Sequence, residues 1–263
     1  MQFLFIRHGD PDYANDCLTD QGKMEAESLA RHIGYWKIDE PYVSPLGRAR
    51  ETSEYSLKAM GFDVPSVIAN RTFDWLREFN GEVDVLEYPE FREAYPDTEA
   101  TYGRLTKRIC WDIVPEYLAK HPEYYDTNGW RNTEIARKSD IIEKYDNVCA
   151  QFDKLIAEYG YVRDGVNYIV EKECTKSLAF FCHFGVTCVI LSHLLNISPF
   201  ALWQGFAMAP TSVTQIFSEE REQGRAQFRT WKLGDISHLV QDGIEPSFSA
   251  RFAEVYSNKD QRH

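Results

Sequence analysis

The chain has 263 residues, an apolar fraction of 43% and a net charge of -12. This length is enough for one sizeable hydrophobic core. A chain this acidic is a poor partner for nucleic acid or for an anionic membrane surface, so a site for an anion must be a local cluster of cationic groups. The six cysteines form no C-x-x-C pair, which predicts free thiols and a reducing, cytoplasmic location.

The predicted strands and helices alternate along the chain. Residues 3–6 form a continuous apolar run that is typical of a strand buried on both faces. The run is too short for a signal peptide and lacks a basic leader. Thr19 is the predicted N-cap of a helix over residues 21–33. Further strands are predicted at 42–44, 64–68, 178–182, 212–218 and 227–231, and further helices after Pro45, over 134–159 and over 186–195.

This alternation predicts an α/β fold with three α/β/α layers around a central, mostly parallel sheet. Residues 86–131 depart from the pattern, because they are rich in aromatic side chains and are divided by several prolines. We expect them to form an inserted helical lid, which extends over about 86–165. The lid would belong to a single domain that spans residues 1–263.

Cationic and imidazole side chains follow the predicted strands. Arg7 and His8 come directly after the first strand, His183 follows the strand at 178–182, and Arg48 lies just beyond the strand at 42–44. Ligands gather at the carboxyl ends of parallel strands, so these side chains are expected to converge there. Arginine is well suited to bidentate contact with phosphate oxygens. The sequence therefore predicts a site for a phosphate dianion.

Six segments resemble, in the right order, the motifs of the histidine phosphatase (phosphoglycerate mutase-like) superfamily. They are RHG at 7–9, LTDQG at 18–22 with EA at 25–26, SPLGRARET at 44–52, LREFNG at 76–81, CHFGV at 182–186 and LGDISHL at 233–239. The last of these is similar to a closing segment of the phosphatase branches. The motifs extend over most of the chain but leave residues 86–170 uncovered.

The resemblance implies a role for each matched residue. His8 resembles the nucleophile, which would form a phosphohistidine intermediate. Arg7, Arg48 and His183 resemble the groups that bind the substrate's phosphate oxygens and stabilise charge during transfer. Glu78 resembles the general acid, and for that role its pKa should be raised. The implied enzyme is a metal-independent phosphomonoester hydrolase that uses no cofactor.

Two positions depart from the family pattern. Ala14 stands where the family often has an asparagine, and Asn15 is the candidate substrate-binding residue one position later. Phe184 replaces the usual glycine after the second histidine, and its backbone N–H remains a candidate donor to phosphate. Its ring would narrow the pocket.

Two other functions fit the same motifs. The first is phosphoryl transfer of the phosphoglycerate mutase type, for which cationic residues in the lid could hold a carboxylate. These are Arg92, Arg104, Lys107, Arg108 and Arg131. The second is a non-catalytic module that binds a phosphorylated ligand, although such modules usually lose the nucleophile or the acid. The expected partner is a small phosphorylated metabolite, with no nucleic acid and no membrane, and a homo-oligomer remains open.

Overall fold

A computed structural model describes residues 1–96, 107–247 and 253–262. The strands in chain order are β1 (Gln2–Arg7), β2 (Pro11–Asp12), β3 (Cys17–Leu18), β4 (Glu40–Val43), β5 (Glu82–Asp84), β6 (Lys107–Ile109), β7 (Tyr161–Asp164), β8 (Asn167–Val170), β9 (Ser177–Cys182), β10 (Val213–Glu222), β11 (Arg225–Asp235), β12 (Ala253–Val255) and β13 (Asn258–Arg262).

The helices are α1 (Asp20–His32), α2 (Gly47–Ala59), α3 (Val64–Asn70), α4 (Pro115–Lys120), α5 (Glu134–Arg137), α6 (Ile141–Ala157), α7 (Phe184–Leu195), α8 (Pro199–Gly205) and α9 (Ser237–Asp242). Thr19 caps α1 as predicted, since its side chain accepts from the Gly22 N–H. Within the described ranges, no helix is both long and apolar enough to cross a membrane.

A seven-stranded sheet in the order β4-β9-β1-β10-β11-β8-β7 organises the molecule. β1 and β4 each run parallel to β9, whereas the pairs β1–β10, β10–β11, β11–β8 and β8–β7 are antiparallel. The prediction of a mostly parallel sheet is therefore wrong. A run of apolar residues reports burial on both faces, and it carries no information about the direction of the neighbouring strand.

The inner strand β1 is buried on both faces, as its apolar run predicted. Phe3 and Phe5 belong to the hydrophobic cluster that includes Phe152 of α6, and the Phe3 and Phe152 rings are 5.3 Å apart. Leu4 and Ile6 point into a second cluster, which is shared with α1 and α2. Alternate side chains of this strand thus pack against helices on opposite faces of the sheet. This packing accounts for three layers around this part of the sheet.

Residues 64–68 form part of a helix, which corrects the predicted strand. The Asp63 carboxylate accepts from the Ser66 N–H over 3.3 Å and caps α3, and Pro65 occupies the first turn. Both are signals for the start of a helix, and they outweigh the short apolar run.

The segment predicted as a lid contributes side chains to the hydrophobic core from several of its elements. Its last helix, α6, packs on the sheet and belongs to the core. The predicted single helix over 134–159 is interrupted between α5 and α6. Phe91, Tyr124 and Trp130 of the earlier part are almost fully buried in the same core. Residues 97–106 of the predicted lid lie outside the described residues.

Candidate active site

Three adjacent parallel strands end at the same edge of the sheet, and a polar residue follows each of them. Ser44 follows β4, His183 follows β9 and His8 lies just after β1. The backbone N–H of His8 donates to the carbonyl of Cys182 over 3.1 Å. The two imidazole rings are 5.0 Å apart between centroids. The sheet itself therefore brings the two predicted histidines together.

The contacts of His8 determine where its proton lies. Nδ1 is 2.7 Å from the carbonyl oxygen of Gly9, which can only accept, so Nδ1 carries the hydrogen. Nε2 receives a hydrogen bond from Nε–H of Arg48 over 3.3 Å, and it therefore offers a lone pair. Burial lowers the pKa of His8 well below its usual range, and the charge of Arg7 adds to this effect. His8 is thus a neutral imidazole whose Nε2 atom can act as a nucleophile.

Arg48 is oriented by Asp16, a residue that the sequence does not single out. Nη1 of Arg48 and Oδ1 of Asp16 are 2.6 Å apart, and Oδ2 of Asp16 accepts from the Gly47 N–H over 2.7 Å. Burial opposes ionisation of Asp16, but the hydrogen bond from Gly47 and the charge of Arg48 lower its pKa overall. Asp16 itself has a positive φ of 49°.

Arg7 is held by the segment that precedes β10. Its Nη1 atom donates to the carbonyl of Met208, and its backbone N–H donates to the carbonyl of Ser212 over 3.1 Å. Its Nε atom is buried without a hydrogen-bond partner among the described residues. Arg7 therefore keeps a donor available for a bound anion.

Thr211 connects the same segment to His8 and to α9. Its N–H donates to the His8 carbonyl over 3.2 Å, and its φ is 58°. The Thr211 hydroxyl donates to the Pro210 carbonyl over 2.7 Å, so Nε2–H of His238 donates to that hydroxyl oxygen over 2.9 Å. Burial lowers the pKa of His238 to about 4. The segment at 233–239 thus supports the backbone of His8 through Thr211.

His183 offers a second donor. Its Nε2 atom is 2.7 Å from the Ser44 hydroxyl, which already accepts from the Leu46 N–H over 3.3 Å. Where the Ser44 hydroxyl donates its hydrogen to Nε2, the proton of the neutral ring lies on Nδ1. That atom is buried and has no described partner. Burial lowers the pKa of His183 well below its usual range, and His8 and Arg48 contribute.

Glu78 lies against the N-terminus of α7. Its Oε1 atom accepts from the backbone N–H groups of Phe79, Gly185 and Val186 over 2.8, 2.9 and 3.3 Å. Burial raises the pKa of Glu78, although Arg7 and these N–H groups act in the opposite direction. The carboxyl group is therefore fixed through one oxygen, while the other can carry or release a proton.

Phe184 and Asn15 are placed differently with respect to the two histidines. Phe184 is the first residue of α7, and its ring is 6.0 Å from that of Trp111 at an angle of 84°. Asn15 is exposed, and its side-chain amide donates to Oδ2 of Asp12 over 2.7 Å. The structure therefore brings Arg7, His8, Arg48, Glu78, His183 and Phe184 together and turns the Asn15 amide towards Asp12.

Two further observations concern ligands. Over residues 1–96, 107–247 and 253–262, no group of three or more His, Cys, Asp or Glu side chains is arranged to hold a metal ion. All six cysteines are free. What distinguishes the site is its set of buried donors around His8, which suits an anion with several oxygens.

Solved structures with a similar fold include two proteins that are described as phosphatases. A phosphoserine phosphatase from Entamoeba histolytica, in complex with phosphoserine, matches with a TM-score of 0.51 and 14% identity, over 90% of this chain and 98% of its own. A mycobacterial glucosyl-3-phosphoglycerate phosphatase, in complex with inorganic phosphate, matches with a TM-score of 0.53 and 17% identity, over 90% and 98%. At this identity the likeness shows the fold alone. No curated protein sequence matches the chain.

The family comparison concerns the part of the chain that carries His8, Arg48 and Glu78. The model of the histidine phosphatase superfamily (branch 1) matches residues 3–109. This match confirms the resemblance that the sequence motifs indicated. Residues 3–109, which carry the first four of the six motifs, therefore match the histidine phosphatase superfamily, branch 1.

Proposed function

We propose that this protein is a phosphomonoester hydrolase that acts on a small phosphorylated metabolite through a phosphohistidine intermediate on His8. The observation that carries the proposal is the state of Nε2 of His8. It is an unprotonated nitrogen in a buried ring, and it is surrounded by donors from Arg7, Arg48 and His183. A nucleophile of this kind, next to preorganised donors, is what phosphoryl transfer requires.

The first half of the reaction transfers the phosphoryl group to the protein. Nε2 of His8 attacks phosphorus, so the N–P bond forms while the P–O bond to the alcohol breaks. Arg48 redirects its Nε–H from Nε2 to a phosphate oxygen, and Arg7 and Nδ1–H of His183 bind the others. The carboxyl group of Glu78 gives its proton to the departing oxygen.

The second half releases inorganic phosphate. Water replaces the alcohol, and the Glu78 carboxylate accepts a proton from it as its oxygen attacks phosphorus. The N–P bond then breaks, and the electron pair returns to Nε2 of His8. The backbone N–H of Phe184 is proposed as a further donor to the phosphate, and Asn15 would join it only after its amide leaves Asp12.

Mutase-type transfer is less well supported, because three of the five candidate cations for a substrate carboxylate already have acidic neighbours. Lys107 pairs with Glu82 at 3.0 Å, and Arg131 pairs with Asp146 at 2.6 Å. Arg108 lies 3.6 Å from Asp112. Arg104 lies outside the described residues. Product analysis with 3-phosphoglycerate separates the two reactions, since a hydrolase releases inorganic phosphate and a mutase yields 2-phosphoglycerate.

The covalent intermediate provides the test of the proposal. Brief incubation with a labelled phosphomonoester should leave acid-labile, base-stable label on His8, and His8→Ala should abolish both label and turnover. The matched control is His121→Ala, which removes a histidine whose side chain is 38% exposed. Label on a serine or an aspartate, or full activity of the His8 variant, would refute the mechanism.

The charge arrangement adds a second test of the same proposal. Since neutralisation of the phosphate is assigned to Arg7, Arg48 and His183, turnover should persist in EDTA. Vanadate should inhibit, because it adopts the five-coordinate geometry of phosphoryl transfer. Loss of activity in EDTA that Mg²⁺ or Zn²⁺ restores would contradict the assignment.

A further inference from the structure

Two aromatic rings stand beside the carboxyl group of Glu78. A side chain at Gly185 would begin 2.6 Å from the six-membered ring of Trp111 and 2.8 Å from Oε1 of Glu78. The Trp111 ring and Oε1 of Glu78 therefore both lie close to the Cα atom of Gly185. Phe184 closes the same region, because its ring packs edge-on against Trp111.

Trp111 is held in this position by α8. Its carbonyl accepts from the side-chain amide of Gln204 over 2.6 Å, and its ring lies 5.8 Å from that of Trp203. Nε1–H of Trp203 in turn donates to the carbonyl of Gly185 over 3.2 Å. Trp111 and Phe184 are both only partly buried, so each ring keeps a face or an edge for a ligand.

The geometry of phosphoryl transfer determines which part of the substrate lies next to the rings of Trp111 and Phe184. In phosphoryl transfer the attacking and leaving atoms are roughly in line, so the leaving group lies on the side of phosphorus away from His8. The general acid must reach the leaving oxygen, and the group attached to that oxygen must therefore lie beside Glu78. Trp111 and Phe184 are the neighbours of that position.

We propose that Trp111 and Phe184 form a leaving-group subsite that selects phosphomonoesters with an aromatic or strongly apolar alcohol portion. This inference rests on the proposed hydrolase function and names its substrate class. Ring-on-ring packing and the removal of apolar surface from water both favour such a group.

The charges around the subsite also favour an uncharged alcohol portion over one that carries a carboxylate. A substrate that carries a carboxylate next to its phosphate needs a cation beside the leaving group. Arg108, on the strand that leads to Trp111, is almost fully buried and faces Asp112. Because the whole chain is strongly acidic, a second anionic group on the substrate gains nothing from the long-range field.

The test uses phosphonates, because their P–C bond cannot be hydrolysed and binding can be measured separately from turnover. Calorimetric titration of the full-length protein should give a Kd for benzylphosphonate that is about tenfold or more below that for methylphosphonate. Phe184→Ala and Trp111→Ala should each raise the Kd for benzylphosphonate, so that the ratio of the methylphosphonate Kd to the benzylphosphonate Kd falls towards one. Trp231→Ala, which removes a tryptophan that is 73% exposed on β11, should leave the ratio unchanged.

The outcomes distinguish failure of the proposed subsite from failure of the proposed hydrolase function. A ratio near one in the wild-type protein, or a high ratio that survives both substitutions, overturns the subsite. If the protein hydrolyses phosphomonoesters but shows no benzyl preference, the subsite fails and the hydrolase stands. If benzylphosphonate binds preferentially and no phosphomonoester is hydrolysed, the proposed function fails instead. Circular dichroism of each variant confirms that it is folded, and Phe184→Ala removes a ring outside the fully buried core.

Discussion

Asp16 anchors the guanidinium group of Arg48, with Oδ1 and Nη1 only 2.6 Å apart. The same guanidinium donates from Nε to the candidate nucleophile over 3.3 Å. The anchor lies at the edge of the site, because the Asp16 side chain is 41% exposed while that of Arg48 is 9% exposed. An exposed carboxylate thus controls the direction of a buried cation.

Asp16→Ala should therefore reduce kcat/KM by about tenfold, the equivalent of one hydrogen bond to a charged group. The free energy of unfolding should also fall by about 1–2 kcal/mol, because Arg48 and the Gly47 N–H lose their acceptor and alanine is strained at the positive φ of this position. Steady-state kinetics and urea denaturation measure the two quantities. Asp20→Ala removes an exposed carboxylate from the first turn of α1 and serves as the control. Unchanged kinetics in the Asp16 variant would mean that Arg48 keeps its direction without the ion pair.

Gly185 leaves no room for a side chain. Gly185→Ala would place its methyl group 2.6 Å from Trp111 and 2.8 Å from Glu78, so one of these groups must move. Since the Gly185 N–H also binds Glu78, we expect kcat to fall by about 10²-fold, on the scale of acid–base catalysis. Gly205→Ala is the matched control, because nothing lies within 4 Å of its added carbon. Equal activity of the two variants would show that the close approach of Gly185 to Trp111 and Glu78 is not needed for turnover.

Glu78→Gln tests the proton donor without removing its anchor. The amide oxygen can still accept from the same three N–H groups, but the side chain can no longer donate an acidic proton. Hydrolysis of an aliphatic phosphomonoester should slow by about 10²- to 10⁴-fold, because its alkoxide leaving group needs the proton. A nitrophenyl ester leaves as a weak base and should lose distinctly less.

The comparison for Glu78 requires single-turnover burst rates, because the same carboxylate is proposed to activate water in the second step. Glu82→Gln, at an exposed ion pair with Lys107, is the control. If both esters lose rate equally in the burst, Glu78 acts in positioning and another group supplies the proton.

The buried histidines make stability depend on pH. The pKa of His238 falls from its ordinary 6.5 to about 4 on folding. Between these values the unfolded chain binds the proton and the folded chain does not, so stability is lost as the pH falls from 6.5 towards 4. One such group contributes about 1.4 kcal/mol per pH unit. His8 and His183 act in the same direction.

The contribution of His238 can be isolated by substitution. His238→Gln can place an amide N–H near the position of Nε2 and so keep a donor for the Thr211 hydroxyl, but it cannot take up the proton. Urea denaturation between pH 4.5 and 7 gives the free energy of unfolding at each pH. This free energy should depend less steeply on pH in the variant than in the wild-type protein, by about 1.4 kcal/mol per pH unit. If the free energy of unfolding of the two proteins has the same pH dependence, His238 is not the titrating group.

The position of the site could be predicted because its residues follow strands with a clear apolar signal. Arg7, His8 and His183 lie at such ends, and the sheet register places them side by side. Asp16 could not be found in this way. It follows no periodic element, its backbone is left-handed, and its importance arises only when its loop meets the start of α2.

Part of the fold carried signals that the prediction did not use. The hairpin of β7 and β8 has the two-residue loop Gly165-Val166, and Gly165 has a φ of 60°. A glycine at the first position of a two-residue loop is typical of a hairpin. The antiparallel arrangement of β10 beside β1 had no such local signal, because it depends on a pairing between residues more than 200 positions apart.

The ladder between β1 and β9 has a dynamic consequence. It pairs Arg7 with Cys182, so the histidine that follows each strand is tied to the most deeply buried part of the molecule. Amide protons in these strands should be among the slowest to exchange with solvent, and the separation of the two rings should change only when the core itself opens. Substrate preference can then diverge through the segment that carries Trp111 while the reactive pair remains unchanged.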